Sequence, residues 1–187
     1  MNVFNTRNEM VRSLLKPGYI GTECGVLKGD FSEVLYQCQP ARLDLVDLWE
    51  SGKQYYSGDH DGNNGAVYDM NDCYNAVCSK FSNRGNVNVI RSNSLDFFKS
   101  VPDNTYDFVY LDTDHSYEFT ILELNVVIDK VKVGGFICGH DFDISNKCNT
   151  VYHFGVDRAV FEFCHNHNQK IHSLAMDGCM SFAIQKR

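Results

Sequence analysis

Four short stretches of this chain combine residue types that can do chemistry. The first is T-E-C-G-V-L-K-G-D, Thr22 to Asp30, where Gly25 and Gly29 let the backbone turn sharply and approach a ligand closely. The second is L-D-L-V-D-L-W, in which Asp47 stands where an acidic residue grips ribose hydroxyls after such a turn. A carboxylate suits vicinal hydroxyls because it can accept both protons, and Leu48 and Trp49 follow as candidate walls for an adenine. The third and fourth are Asp112-Thr113-Asp114-His115 and His140-Asp141. Carboxylates gathered in this way are expensive to bury unless a cation or a metal pairs with them. An unperturbed histidine titrates at about pH 6.5, so His140 or His115 could take the proton from a hydroxyl as its oxygen attacks.

Such residues act together only if the fold brings them to one edge. Met10, Val11, Leu14 and Leu15 fall at helical spacing and predict a helix over Thr6–Leu15, stopped by Pro17-Gly18. Tyr19–Cys24 reads as a buried strand, followed by the glycine turn, a helix from about Asp30 to Cys38, and a second strand at Leu43–Leu48. Glu50–Asn71 is rich in Gly, Asn, Asp and Tyr and reads as a long loop, mobile without ligand. Helix Asp72–Phe81, strand Asn88–Arg91, helix Leu95–Ser100, strand Tyr106–Leu111 and helix Phe119–Val131 come next. Gly134-Gly135 turns into a strand at Gly135–Gly139, and a last helix runs near Val156–His167. Ile171–Ala175 and Ser181–Gln185, joined around Asp177-Gly178, read as an antiparallel hairpin. The alternation predicts an α/β fold: a Rossmann-like doubly wound sheet, mostly parallel, with helices on both faces and a C-terminal antiparallel hairpin. Right-handed crossovers place the carboxyl ends of the parallel strands on one edge, and the four stretches gather there. The chain reads as a single domain, residues 1–187.

Taken in order, E-C-G-V-L-K-G-D-F-S, L-D-L-V-D-L-W, Y-D-F-V-Y-L-D-T-D-H-S-Y and K-V-G-G-F-I-C-G-H-D-F resemble the class I S-adenosylmethionine-dependent methyltransferases. The resemblance is strongest to small stand-alone domains near the sugar and macrolide O-methyltransferases and runs from about Tyr19 to Val160. In that family the first strand ends in E-x-G-x-x-x-G, matched here by Glu23, Gly25 and Gly29, and the sheet closes on an antiparallel hairpin. The resemblance implies S-adenosylmethionine as cofactor, with Glu23, Cys24, Gly25 and Gly29 along its methionine end and Asp47 on its ribose. It places Asn93 and Ser94, in R-S-N-S-L-D-F-F, at the adenine, where the family more often has an aspartate in the position of Asn93. An asparagine can both donate to and accept from an adenine edge. Asp112 suits the neighbourhood of a cationic sulfonium. Members that need a divalent metal use an aspartate there and a D-D or D-N pair after the fifth strand; the matching residues are Asp112, His140 and Asp141, with a histidine replacing one carboxylate. Oxygen-rich sites suit Mg, and a mixed imidazole and carboxylate set suits Mn, Fe or Zn.

Composition narrows the partners. A formal charge of −7 and the lack of any Lys/Arg block argue against nucleic acid and favour a small-molecule acceptor. No apolar run approaches the roughly 18–20 residues that cross a bilayer, and the opening M-N-V-F-N-T-R-N-E-M lacks a signal-peptide layout, so the expected setting is cytoplasmic. The eight cysteines are scattered without a C-x-x-C pair and read as reduced thiols. Tyr55, Tyr56, Tyr68, Tyr117 and Tyr152 are candidate walls of an acceptor pocket, while His165 and His167 read as helix-end surface residues. The expected reaction is O-methylation of a small-molecule hydroxyl. Two alternatives stay open: an NAD-linked oxidoreductase, which Asp47 would serve equally, and a cofactor-binding protein without catalysis.

Overall fold

A computed structural model describes residues 1–50, 53–55, 67–144 and 154–187. The elements, in chain order, are β1 (Asn2–Phe4), α1 (Arg7–Leu14), β2 (Ile20–Cys24), α2 (Asp30–Gln37), β3 (Arg42–Asp47), β4 (Lys53–Tyr55) and β5 (Val67–Asp69). They continue with α3 (Met70–Phe81), β6 (Val87–Arg91), α4 (Ser94–Ser100), β7 (Tyr106–Leu111), α5 (Tyr117–Lys130) and β8 (Val131–Gly139). Helix α6 (Val156–Asn166) and strands β9 (Ile171–Ala175) and β10 (Ser181–Gln185) close the chain. Helix starts carry the side chains that cap them: Thr6 accepts from the Glu9 amide, Asp69 from those of Asn71 and Asp72, and Ser116 from that of Phe119.

Eight strands form one sheet in the order β1-β9-β10-β8-β7-β2-β3-β6, and β4 and β5 pair separately. Strand β10 runs antiparallel to both of its neighbours, β8 and β9, and the other pairings in the large sheet are parallel. Alternation along each strand sends side chains to opposite faces. In β7, Phe108 and Tyr110 join Met10, Leu35 and Val77 from α1, α2 and α3. Val109 and Leu111 join Phe98, Leu124 and Val160 from α4, α5 and α6. Two apolar layers, one on each face, hold the carboxyl ends of β2, β3, β6, β7 and β8 in a row.

The predicted hairpin and the doubly wound, mostly parallel sheet are present. Three features depart from expectation. Strand β1 reaches the sheet edge by pairing with β9, a contact that three residues of half-polar sequence do not announce. Strand β8 starts at Val131 rather than after Gly134-Gly135; the glycine with φ +84°, Gly134, lies inside it, where the pairing with β7 shifts register. The long polar stretch is not all loop, since β4 and β5 pair antiparallel within it and α3 already begins at Met70. The mobility expected of that stretch, along with the side chains of Tyr55, Tyr56 and Tyr152, lies outside the described residues.

Six cysteines, at 24, 38, 73, 78, 138 and 164, are free thiols as expected. Cys179 departs from that expectation: it is disulfide-bonded, with its partner outside the described residues. No helix among the described residues is long and apolar enough to cross a membrane.

Phe108 is fully buried at the centre of the first layer. Phe108→Ala should cost about 3–5 kcal/mol of stability. Urea unfolding should show a lowered midpoint with an unchanged slope; an unshifted midpoint would mean that this layer does not hold the sheet.

Candidate active site

After β2 the backbone turns at Gly25, φ +91°, so close to the exit of β7 that a Cβ there would stand 1.8 Å from the Asp112 carbonyl oxygen. Any side chain would force the two strand exits apart. Gly29, φ +72°, then starts α2 from the left-handed region. The segment between them is fastened by Asp47, whose Oδ2 accepts from the amides of Val26 (2.7 Å) and Leu27 (2.8 Å). Asp47 Oδ1 accepts from the Trp49 amide at 3.0 Å. The glycine turn is thereby tied to the end of β3.

A cleft of about 450 Å³ opens along this edge, a size suited to a small ligand or cofactor. One wall is the glycine turn with Glu23, the next is Asp47 and Leu48, then come Asn93 and Ser94, and Asp112 with His115 completes it. Glu23 is almost fully buried, and its Oε2 accepts from Ser32 Oγ at 2.5 Å. Burial pushes its carboxyl up to about 8, helped by the nearby Asp112, against the opposing pull of the Ser32 hydrogen bond and Arg7.

Next to the cleft four ionisable groups converge. His115 Nε2 stands 3.2 Å from Asp112 Oδ1 and 3.0 Å from Asp141 Oδ2. His140 Nδ1 stands 3.2 Å from Asp141 Oδ2 and 4.0 Å from Asp112 Oδ1. Burial opposes charge on Asp112, but His140, His115 and Arg7 overcome it and hold the carboxyl down to about 2. Burial likewise works against the His115 imidazolium, yet Asp112, Asp141 and Asp114 raise it to about 9. His140 is raised as well, by Asp112 and Asp141 against burial. Backbone strain accompanies the cluster, because His115 (φ 65°) and Asp141 (φ 59°) both occupy the left-handed region. The Asp141 amide is held by the Cys179 carbonyl at 3.1 Å, which ties this turn to the terminal hairpin.

Most of the residues predicted from sequence meet here, with corrections. Glu23, Gly25, Asp47, Leu48, Asn93, Ser94 and Asp112 line the cleft, and Gly29 shapes its turn from just behind. Cys24 does not line it: the side chain is fully buried in the layer beneath the sheet, because strand alternation points it inward. Trp49 is not an adenine wall either. Its indole is fully buried, donates from Nε1 to the Leu27 carbonyl at 2.9 Å, and packs on Tyr74. Leu48, nearly half exposed, faces the cleft instead. Asp47 has three of about four carboxylate acceptor sites filled by backbone amides, leaving room for one hydroxyl rather than two. Of the two histidines, His115 is the one on the cleft wall, and His140 lies behind it beside a small cavity shared with Thr113 and Glu123. Among the described residues, the group compact enough to hold a metal ion is Asp112, His115 and Asp141, whose donor atoms lie within 4.8 Å of one another; His140, expected in that set, flanks it. Tyr117 donates to Glu162 at 2.7 Å and so braces α5 on α6, while Tyr68 lies 3.9 Å from the Lys28 ammonium. His167 pairs with Asn125 at 2.8 Å on the surface, as a helix-end residue should.

One residue escaped the sequence reading altogether. Arg7, the first residue of α1, projects its guanidinium into the cleft, 3.3 Å from Asp112 Oδ2 and 4.7 Å above the Phe31 ring. Its amide is anchored on Asp177 Oδ2 at 2.7 Å, so the terminal hairpin sets its position. A lone arginine in a first helix carries no sequence signal for such a contact.

The sequence model of a family described as "Methyltransferase domain" matches residues 20–142. No curated protein matches the sequence. Among solved structures of similar fold is a SAM-dependent methyltransferase from Aquifex aeolicus, at 16% identity over 96% of this chain and 88% of that one, TM-score 0.61. An rRNA methylase from Streptococcus thermophilus aligns at 11% identity over 96% and 93%, TM-score 0.61. The N-methyltransferase NodS from Bradyrhizobium japonicum aligns at 12% identity over 95% and 92%, TM-score 0.66. At these identities the likeness is one of fold.

The buried carboxyl of Glu23 yields a test of the cleft's electrostatics. Its folded pKa of about 8 exceeds the unfolded value of about 4.3. Folding therefore takes up a proton between these limits, and stability falls as pH rises through that window. Glu23→Gln keeps the neutral form at every pH. Its melting temperature should gain on the parent protein from pH 6 to pH 9; a constant difference would show that Glu23 is ionised in the fold.

Proposed function

Since the chain belongs to the methyltransferase domain family and is an S-adenosylmethionine-dependent methyltransferase, we propose that it methylates a hydroxyl of a small molecule. The carrying observation is the cluster of Asp112, His115, Asp141 and His140, packed within hydrogen-bonding range beside the cofactor-sized cleft. Such an arrangement is chemistry for removing a proton from an oxygen nucleophile. We place the enzyme with the small stand-alone domains near the sugar and macrolide O-methyltransferases, on the motifs quoted above.

The residues present fit the cofactor. Asp47 can accept a ribose hydroxyl, Leu48 offers apolar surface, and Asn93 and Ser94 offer polar groups to the base. Glu23, the Gly25 turn and Arg7, which line the same cleft, would hold the methionine end. Cys24 and Trp49 support these walls from behind. The donor supplies a methyl group on a cationic sulfonium, and the protein contributes proximity, in-line orientation and a base.

The residues also fit a divalent cation. The His115 imidazole stands 3.0–3.2 Å from each of two carboxylates, and the three donor atoms lie within 4.8 Å of one another, close enough to share one ion. Asp112, His115 and Asp141 would hold it, a mixed set that suits Mn, Fe or Zn better than Mg. A cation there supplies Lewis acidity at the acceptor oxygen. His140 flanks that set, raised above its usual range by Asp112 and Asp141 against burial, and is the residue assigned as base. His140 Nδ1 faces Asp141, so Nε2 is the atom assigned to the acceptor's proton. His115, raised to about 9 when it faces the two carboxylates alone, is the poorer base.

A small molecule suits the site better than RNA. Asp30, Asp47, Asp112 and Asp114 outnumber Arg7 and Lys28 along the cleft, and the chain carries −7 overall, both adverse to a phosphate backbone.

Product formation by mass spectrometry over a panel of hydroxylated small molecules, amines and RNA tests the acceptor class. Methylation of amines or RNA alone would overturn the reading. On a hydroxyl acceptor, His140→Ala and Asp141→Ala should each lower turnover by roughly 10²–10⁴-fold. Chelation should abolish turnover and leave S-adenosylhomocysteine binding intact; full turnover by protein shown to be metal-free would remove the cation from the mechanism.

A further inference from the structure

Helix α5 turns four buried residues toward the sheet: Thr120, Glu123, Leu124 and Val127. A glutamate in such a stripe is out of place, since a leucine or methionine would fill the space without desolvating a charge. Glu123 is 1% exposed. Its Oε1 accepts from Ser94 Oγ at 2.5 Å and its Oε2 accepts from Thr113 Oγ1 at 2.7 Å. Ser94 opens α4 after β6, and Thr113 follows β7; these strands are separated in the sheet by β2 and β3. One carboxylate therefore joins two walls of the cleft that the sheet itself keeps apart.

The direction of these bonds has a chemical consequence. A hydroxyl owns a single proton, and an ionised carboxylate accepts only. With its proton committed to Glu123, Ser94 can offer the cleft lone pairs and no donor. Asn93 beside it is fixed in the opposite sense: its Oδ1 caps α4 by accepting from the Leu95 amide at 2.9 Å, so its Nδ2 remains as a donor. The Ser94 hydroxyl is thereby set as an acceptor beside the Asn93 Nδ2 donor. An adenine edge, with acceptor N1 beside a 6-amino donor, complements it. A hypoxanthine edge, with N1–H beside a 6-oxo acceptor, reverses both partners.

We propose that Glu123 is a positioning residue that fixes the Ser94 hydroxyl as an acceptor, and through it makes the cleft select a 6-amino over a 6-oxo purine. The proposal rests on the reading of the cleft as the S-adenosylmethionine site. Burial raises the Glu123 carboxyl to about 7 against the lowering pull of the Ser94 and Thr113 hydrogen bonds, so the accepting carboxylate prevails above that pH, where the test is run.

Calorimetric titration with S-adenosylhomocysteine and S-inosylhomocysteine tests it on the folded protein. The parent protein should prefer the adenosyl compound by on the order of 10–100-fold, the worth of reversed hydrogen bonds in a desolvated site. In Glu123→Gln the amide NH2 donates to one of the two hydroxyls and releases its proton. The preference should then shrink severalfold or more, by gain of inosyl binding as much as by loss of adenosyl binding. Ser94→Ala should reduce the preference by a similar factor, and the double variant by no more than either alone. A purely structural Glu123 would weaken both ligands alike and leave their ratio unchanged, and that result overturns the proposal. Should Glu123→Gln not fold, an undiminished preference in Ser94→Ala overturns it equally. Failure of the parent protein to bind either compound would instead reject the cofactor site, and this inference with it.

Discussion

Three backbone amides converge on one side chain, and the architecture of the cleft depends on that convergence. Asp47 holds Val26 and Leu27 with one oxygen and Trp49 with the other. These bonds add to the Gly25 amide's bond to the Val46 carbonyl at 2.9 Å in holding the glycine turn against the end of β3. Gly25 supplies the complementary constraint from the other side by allowing the Asp112 backbone to touch it. Between them, an attraction and a steric permission set the width of the cleft. The buried Trp49 indole, bonded to the Leu27 carbonyl, locks the same turn from beneath.

Electrostatics work differently at the two ends of this cleft. At the glycine turn, burial leaves Glu23 protonated in the neutral range, so the wall carries less negative charge than its composition suggests. At the exits of β7 and β8, Asp112 stays ionised because His115, His140 and Arg7 surround it. A buried ion cluster of this kind contributes little net stability, since desolvation offsets most of the attraction. Its left-handed residues, His115 and Asp141, add strain. Groups arranged at such cost are found where a protein must handle protons or cations.

Sequence reasoning reached the fold well because the strands carry strong local signals. Tyr106–Leu111, Ile171–Ala175 and Ser181–Gln185 have the observed bounds, and the D-G turn identified the only antiparallel strand direction in the large sheet. Boundaries failed where the cause is tertiary: β1 exists by pairing with β9, and β8 extends through Gly134 because β7 accommodates a register shift. At the site, spacing found the residues but not their directions. Cys24 and Trp49 sit beside cleft residues in sequence and face away from the cleft in space. His115 and His140 were indistinguishable until the turns after β7 and β8 placed one on the cleft wall and the other behind it. Arg7 and Glu123 had no legible motif, because each matters through partners about 105 and 29 residues away along the chain.

The order of strands across the sheet also has a temporal meaning. β1 pairs with β9, Arg7 is anchored on Asp177, and Asp141 is anchored on the Cys179 carbonyl. A ribosome delivers those partners after the residues they support. A nascent chain that already contains the glycine turn, Asp47 and Asp112 thus still lacks the supports for Arg7 and Asp141. Contacts of such long range close slowly relative to local helices and hairpins. The walls of the cleft can take shape while synthesis is under way, whereas the His–Asp corner is completed only when the β9–β10 hairpin docks. Translation therefore sets an assembly sequence in which the His–Asp corner gains its supports after the glycine turn and Asp47 are in place.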